Sequence, residues 1–246
     1  MVAVKWTATR IDATQIGDGM AFDYLAWLDR AESFISMLAR SGRGFSVQQH
    51  REGPANPHAI DTLAQSLPKG LPRSLEGFLA TATKKCEIRF RWKPSESQLE
   101  SIGDLTPHTY TFYGGPAFFN LDWMHTYDPN RSSWVDEVSD ATLSPLVGLS
   151  PFGSVDDALI RITDPTQPSH DEEVRMWKGS LPISDSGIGD CLAVDLEVGN
   201  YDDPPVNYLS HELRGYSTQI SSTFTSFLGD WEAISYLDWN ICRFEL

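Results

Sequence analysis

Ser180-Leu-Pro-Ile-Ser-Asp-Ser-Gly-Ile-Gly-Asp190-Cys-Leu-Ala-Val-Asp-Leu196 is the stretch whose reading decides the fold. From Asp190 onward Leu192, Val194 and Leu196 alternate with Cys191, Ala193 and Asp195, which predicts a strand with one buried face. Before it, Gly187 and Gly189 stand between Asp185 and Asp190, a turn whose glycines suit positive φ or a close backbone approach. Glycines and acids between strands fit a ligand loop, a metal site or a tight turn. A phosphate loop is excluded. The Gly-Lys-Ser/Thr ending is missing, a strand follows where a helix N-terminus is needed, and both aspartates would repel the anion. The spacing of Asp185 and Asp190 does not match a calcium loop and no glutamate closes one, so no metal is expected. What fits is a structural corner in which Asp190 ties backbone amides.

Outward from this corner, helical and strand periods are mixed. Phe22, Leu25, Leu28, Ala31, Ile35 and Leu38 recur at helical spacing, and Ser41-Gly-Arg-Gly44 closes that helix. Residues 42–57 are polar and read as a linker or exposed loop. Asn56-Pro57 then caps a helix carrying Ile60, Leu63, Ala64 and Leu67, and a second helix carries Leu71, Leu75, Phe78, Leu79 and Ala82. Cys86, Ile88, Phe90 and Trp92 alternate with Glu87, Arg89, Arg91 and Lys93, a strand with a charged outer side. Further strands are predicted at 109–113, 174–178, 181–184, 190–196 and 205–210, a short helix at 154–161 and a solvated loop at 164–173. A helix beginning at Ser222 carries Phe224, Phe227, Leu228, Trp231 and Ile234. With no βαβ alternation, this order predicts an α+β fold: a twisted, mostly antiparallel sheet flanked by helices. The expected organisation is an N-terminal helical extension, 1–45, packed on a main domain, 46–246, whose middle segment of about 93–178 is enlarged.

The chain has 246 residues, 34 Asp and Glu against 19 Lys and Arg, and a formal net charge of −15. Such a field disfavours nucleic acid and anionic membranes and speeds encounter with basic proteins. No apolar run reaches the roughly 18–20 residues of a membrane helix. The N-terminus has no secretory h-region. Three dispersed cysteines (Cys86, Cys191, Cys242) argue against a disulfide framework or thiolate zinc, so a cytoplasmic location is expected.

No catalytic constellation emerges. The histidines lack zincin spacing, and a Gly-x-Ser-x-Gly elbow is absent. His211 and Glu212 are adjacent on extended chain and face apart. A hydrolase would need a cleft lined by Asp185, Asp190 and His211. Arg89, Arg91 and Lys93 make a short basic stripe that reads as the wet side of a strand. Neither a cofactor nor a metal is expected, and the chain is expected not to be an enzyme. An acidic protein-binding module remains. Its candidate partner surface comprises Trp123, Tyr127 and Trp134 as aromatic anchors, with Asp202, Asp203 and Glu212 as acidic rim.

Five segments, in order, resemble one family: the helix Ile60–Leu67; Leu71-Pro-x-x-Leu75-x-x-Phe78-Leu79; Leu181 to Asp190 running on into Leu196; Val206-Asn-Tyr-Leu-Ser-His-Glu212; and Ile220-Ser-Ser-Thr-Phe-Thr-Ser-Phe-Leu228. They are similar to the SUKH superfamily, the group of the yeast cell-wall assembly regulator and of bacterial toxin-immunity proteins. Asp185, Gly187, Gly189 and Asp190 stand at its signature turn, with Ile188 in place of the middle glycine. Ala80-Thr-Ala-Thr-Lys-Lys85 replaces the Asn-Gly that usually follows the Phe-Leu helix. The resemblance implies a SUKH-like α+β fold and a non-enzymatic role, binding and neutralising a cognate toxin such as a basic nuclease. The eukaryotic relatives imply an alternative, a regulatory or scaffold domain of a cell-wall or signalling system.

Overall fold

A computed structural model describes residues 22–40, 44–92, 112–114, 117–118, 121, 124, 168–184, 191–210, 217–233 and 236. The fold is α+β, and among the described residues every strand pair is antiparallel. The described strands form two four-stranded sheets where one was expected. By proximity of residues the chain divides into two compact units. One comprises Met1–Asp61, Leu75–Phe119 and Thr225–Leu246, and the other Thr62–Ser74 and Asn120–Phe224. The first helix and the strand after it share a unit.

In the first unit, α1 (Tyr24–Arg40) starts where the Asp23 carboxylate accepts the Ala26 N–H at 2.9 Å. It buries Trp27, Leu28, Ala31, Ile35 and Leu38, a stripe at helical spacing. Next comes β1 (Gly44–Arg51), where the sequence suggested a linker. Its residues are mostly polar, and among the described residues it is paired on one side only, so alternation is faint. α2 (Pro57–Ser66) begins with the Asn56 side chain accepting the Ala59 N–H at 2.8 Å, and α3 (Arg73–Thr81) follows Pro72; the unit boundaries at Asp61 and Leu75 fall within these two helices.

β2 (Cys86–Trp92) is the centre of this sheet, paired with β1 on one side and with β3 (Phe112–Gly114) and β4 (Ala117–Phe118) on the other. Cys86, Ile88 and Phe90 are buried while Glu87, Arg89 and Arg91 are exposed, as the alternation requires. The aromatic core gathers on Trp27. Its ring meets Phe78, Trp231 and Tyr236 with centroids 5.8–6.4 Å apart, and its Nε1–H donates to the Leu228 carbonyl at 2.8 Å.

In the second unit, α4 (His170–Gly179) runs into β5 (Ser180–Pro182). This overturns the loop expected at 164–173, for residues 170–173, and the strand expected at 174–178. Ser169 caps the helix by accepting the Glu172 N–H at 3.2 Å. Asp171, Glu172 and Glu173 fill its first turn and Lys178 its last, each complementing the helix dipole.

The sheet is a meander of β5, β6 (Cys191–Asp195), β7 (Val206–Leu209) and β8 (Thr218–Ser221), in that order. All five residues of β6 are buried, so the expected one-sided strand is covered on both faces. Beneath α4, Met176 and Trp177 pack with Cys191, Ala193 and Leu209. Helix α5 (Phe224–Ala233), which from Thr225 onward belongs to the first unit, starts two residues after Ser222. The Gly187–Gly189 turn with Asp185 and Asp190, the helix at 154–161 and residues 109–111 lie outside the described residues.

Candidate functional site

Of the partner surface named from sequence, Asp202 and Asp203 are described; Trp123, Tyr127, Trp134, His211 and Glu212 lie outside the described residues. The two aspartates occupy the β6–β7 loop, whose shape follows from short-range hydrogen bonding. Asp195 ends β6, and its Oδ1 accepts the N–H groups of Glu197 and Val198 at 2.9 and 3.1 Å. Asn200 repeats the device by accepting the Asp202 N–H on its side chain and the Asp203 N–H on its carbonyl. The Asp195 N–H donates to the Pro205 carbonyl at 2.9 Å and closes the base of the loop.

Two glycines with positive φ bound the chemistry of this region, Gly199 at +77° and Gly70 at +82°. A Cβ on Gly199 would stand 2.8 Å from Pro205 Cγ, whereas one on Gly70 would meet open space. Gly199→Ala is therefore expected to destabilise by roughly 2 kcal/mol and Gly70→Ala by about 1 kcal/mol. Urea denaturation of the two variants side by side checks the order; equal losses would show that the Pro205 contact relaxes freely.

The loop is fastened to the first turn of α3 and the segment before it. The Tyr201 hydroxyl donates to the Gly70 carbonyl, the Ser74 N–H donates to the Asp202 carbonyl at 2.9 Å, and Lys69 Nζ lies 5.3 Å from the Tyr201 ring centroid. The Asp202 carboxylate, 58% exposed, faces Arg73, itself 81% exposed, at 3.4 Å. Such a wet pair adds little stability. It does mix the local charge: Lys69 and Arg73 stand beside Asp202, one of the residues named from sequence as an acidic rim.

Behind the loop is a polar cluster that sequence reasoning missed. Arg175 of α4 reaches Asp195 with both terminal nitrogens, at 3.3 and 3.0 Å, and also binds Glu172 at 2.9 Å and approaches Glu197 at 3.7 Å. Asn207 Nδ2 donates to Asp195 Oδ2 at 3.0 Å and to Ser180 Oγ at 3.1 Å. Asp195 is 2% exposed. Burial opposes its ionisation, but the Arg175 guanidinium, the Glu197 N–H and the Asn207 amide outweigh burial and hold the carboxyl below its usual range. Hydrogen bonds to Glu172 and, next, to Asp195 raise the Arg175 guanidinium above its ordinary value despite burial. With every Asp195 oxygen engaged, this cluster orients α4 and the loop and leaves no lone pair aimed at a substrate.

The first unit carries a second ionic centre. Arg51 Nη1 of β1 is shared by Asp29 at 2.7 Å and Glu32 at 3.1 Å, both on α1. Burial lowers the Arg51 proton affinity, and the two carboxylates reverse this and raise it. Asp29, Glu32, Ser33, Ser36, Arg40 and Gln49 line a shallow depression of about 420 Å³. Burial pushes the Cys86 thiol up to about 12, so it stays protonated at neutral pH and packs as a small apolar group. Among the described residues no three His, Cys, Asp or Glu side chains converge on a metal-sized site, and no helix is long and apolar enough to cross a membrane.

These features define an α+β chain whose described carboxylates serve caps, turns and ion pairs and also reach solvent on both units. No protein-family model and no curated protein sequence matches the chain.

Proposed function

We propose that this chain is a non-enzymatic protein-binding module, an immunity protein that binds a toxin and neutralises it through an acidic surface. The observation that carries the proposal is the formal net charge of −15, expressed in the exposed carboxylates of Asp29, Glu76, Glu87, Asp171, Glu172, Glu197 and Asp202. An acidic surface complements a basic cleft such as that of a nuclease, and long-range attraction raises the encounter rate. The ordered motifs from Ile60 to Leu228 that resemble the SUKH superfamily support the same role, as does a β6–β7 loop held in one shape by its own turn hydrogen bonds. A cytoplasmic partner encoded beside the gene is the expected target.

The immobilised chain is expected to retain the product of the neighbouring gene at low salt and to retain less of it at high salt, as screening requires. Failure to retain that product at either salt would refute the proposal.

A further inference from the structure

Among the described residues, strand β1 is paired along one edge only, by β2. Gln48, Gln49, His50 and Arg51 stand opposite Arg89, Ile88, Glu87 and Cys86, and the Glu52 N–H continues the ladder to the Lys85 carbonyl at 2.9 Å. In an antiparallel ladder the backbone groups of alternate residues face alternate sides. Counting back from Glu52, those of Gln49 and Arg51 face away from β2. Among the described residues no strand pairs with that side.

The usual protections of such an edge are sparse. Gly44 to His50 contains no proline, lysine or carboxylate, although a bulge between Phe45 and Gln48 limits the straight part of the edge to residues 48–51.

Helix α1 lies over the sheet face that carries Phe90, whose ring is 6.5 Å from that of Phe34. The side chains of Gln49 and Arg51 share one face of β1, and Arg51 reaches up to α1. The 420 Å³ depression therefore runs between α1 and β1, with Asp29, Glu32, Ser33, Ser36 and Arg40 on one wall and Gln49 on the other. Asp29 is 58% exposed. One Arg51 nitrogen serves both carboxylates, which leaves oxygen lone pairs for a second cation. The small serines leave room beside them.

We propose that the groove between α1 and the outer edge of β1 receives an extended, basic segment of a partner protein, added to the sheet as a further strand. Main-chain hydrogen bonds to Gln49 and Arg51 supply register, and alternate lysine or arginine side chains of the guest point at Asp29 and Glu32. A second copy of this chain is a poorer guest, since two bodies of charge −15 repel. The proposal rests on the protein-binding role above and names where one part of the partner sits.

The test uses the full chain and a fluorescent peptide alternating lysine and threonine, with the same peptide N-methylated at every backbone nitrogen as a control of equal charge that cannot donate to a ladder. Saturable binding of the first, with slowed amide exchange at Gln49 and Arg51, is expected. Gln49→Pro removes an outward N–H while sparing the bonds to β2; Asp29→Lys reverses the charge of one wall. Each should weaken binding about tenfold with an unchanged circular dichroism spectrum. Equal binding of the two peptides, unaltered binding by Gln49→Pro, no binding at all, or dimerisation through this edge would overturn the groove assignment. A toxin bound equally well by Gln49→Pro would remove the groove and keep the immunity role; a chain that binds the lysine–threonine peptide but not the toxin would do the reverse.

Discussion

Asp195→Ala is expected to lower stability by on the order of 3–4 kcal/mol, among the largest effects of any single polar substitution here. The loss has identifiable parts. Arg175 keeps Glu172 but loses its buried partner, Asn207 loses an acceptor, and the Glu197 and Val198 N–H groups lose the oxygen that shapes the loop. Arg175→Met should also destabilise, because it leaves the Asp195 charge buried with amide donors alone. The double variant should lose less than the two single losses added together, since neither group is then left with a stranded partner.

The same carboxyl sets a pH dependence. Its folded pKa lies below the unfolded value of about 3.9. Its contribution is therefore present above about pH 4 and is lost as pH falls through the lower folded value. Urea midpoints measured from neutral pH down to pH 3, on wild type and Asp195→Ala, check this. The two curves should converge in acid; a constant gap would show that Asp195 is not the titrating group.

Trp27→Ala is the second large effect, about 3–5 kcal/mol. Trp27 is fully buried, touches three aromatic rings and donates to the Leu228 carbonyl across α1 and α5. Trp27→Phe keeps much of the ring volume and removes the donor, so a loss of roughly 1–2 kcal/mol is expected. A chain of two units need not unfold in one step. The loss is best read from amide exchange in β2 and α5, and that of Asp195→Ala from β6 and β7. Trp27→Ala with unchanged protection in β2 would show that the aromatic cluster does not organise that sheet.

The elements that could be read from sequence are those with a strong period or a cap. α1, α2, α3 and β2 each carry an apolar stripe long enough to fix type and face, and Asn56-Pro57 marks the start of α2. β1 was illegible because Gln48, Gln49 and His50 are polar and exposed on both faces of the strand, so no apolar alternation marks it and the stretch looks like loop. α4 was misread because its only apolar residues, Val174, Met176 and Trp177, include an i, i+2 pair that mimics a strand; the signal available was Ser169 with Glu172 three residues on, a capping-box pattern.

The loop with Asp202 and Asp203 was legible from its Gly, Asn, Asp and Pro content. The Arg175–Asp195–Asn207 cluster was not, since Asp195 sits where alternation assigns a solvent-facing side chain and only α4 overhead makes burial tolerable. β6 shows the same limit: alternation reveals a strand but not whether a helix covers its second face.

The most direct test of the central claim is to titrate the purified chain against the toxic enzyme encoded beside its gene and follow that enzyme's activity. Stoichiometric binding predicts a linear fall to zero at a one-to-one ratio, with inhibition weakening as salt is raised. Full activity in excess of this chain, or complete loss at a small fraction of one equivalent, would contradict the account.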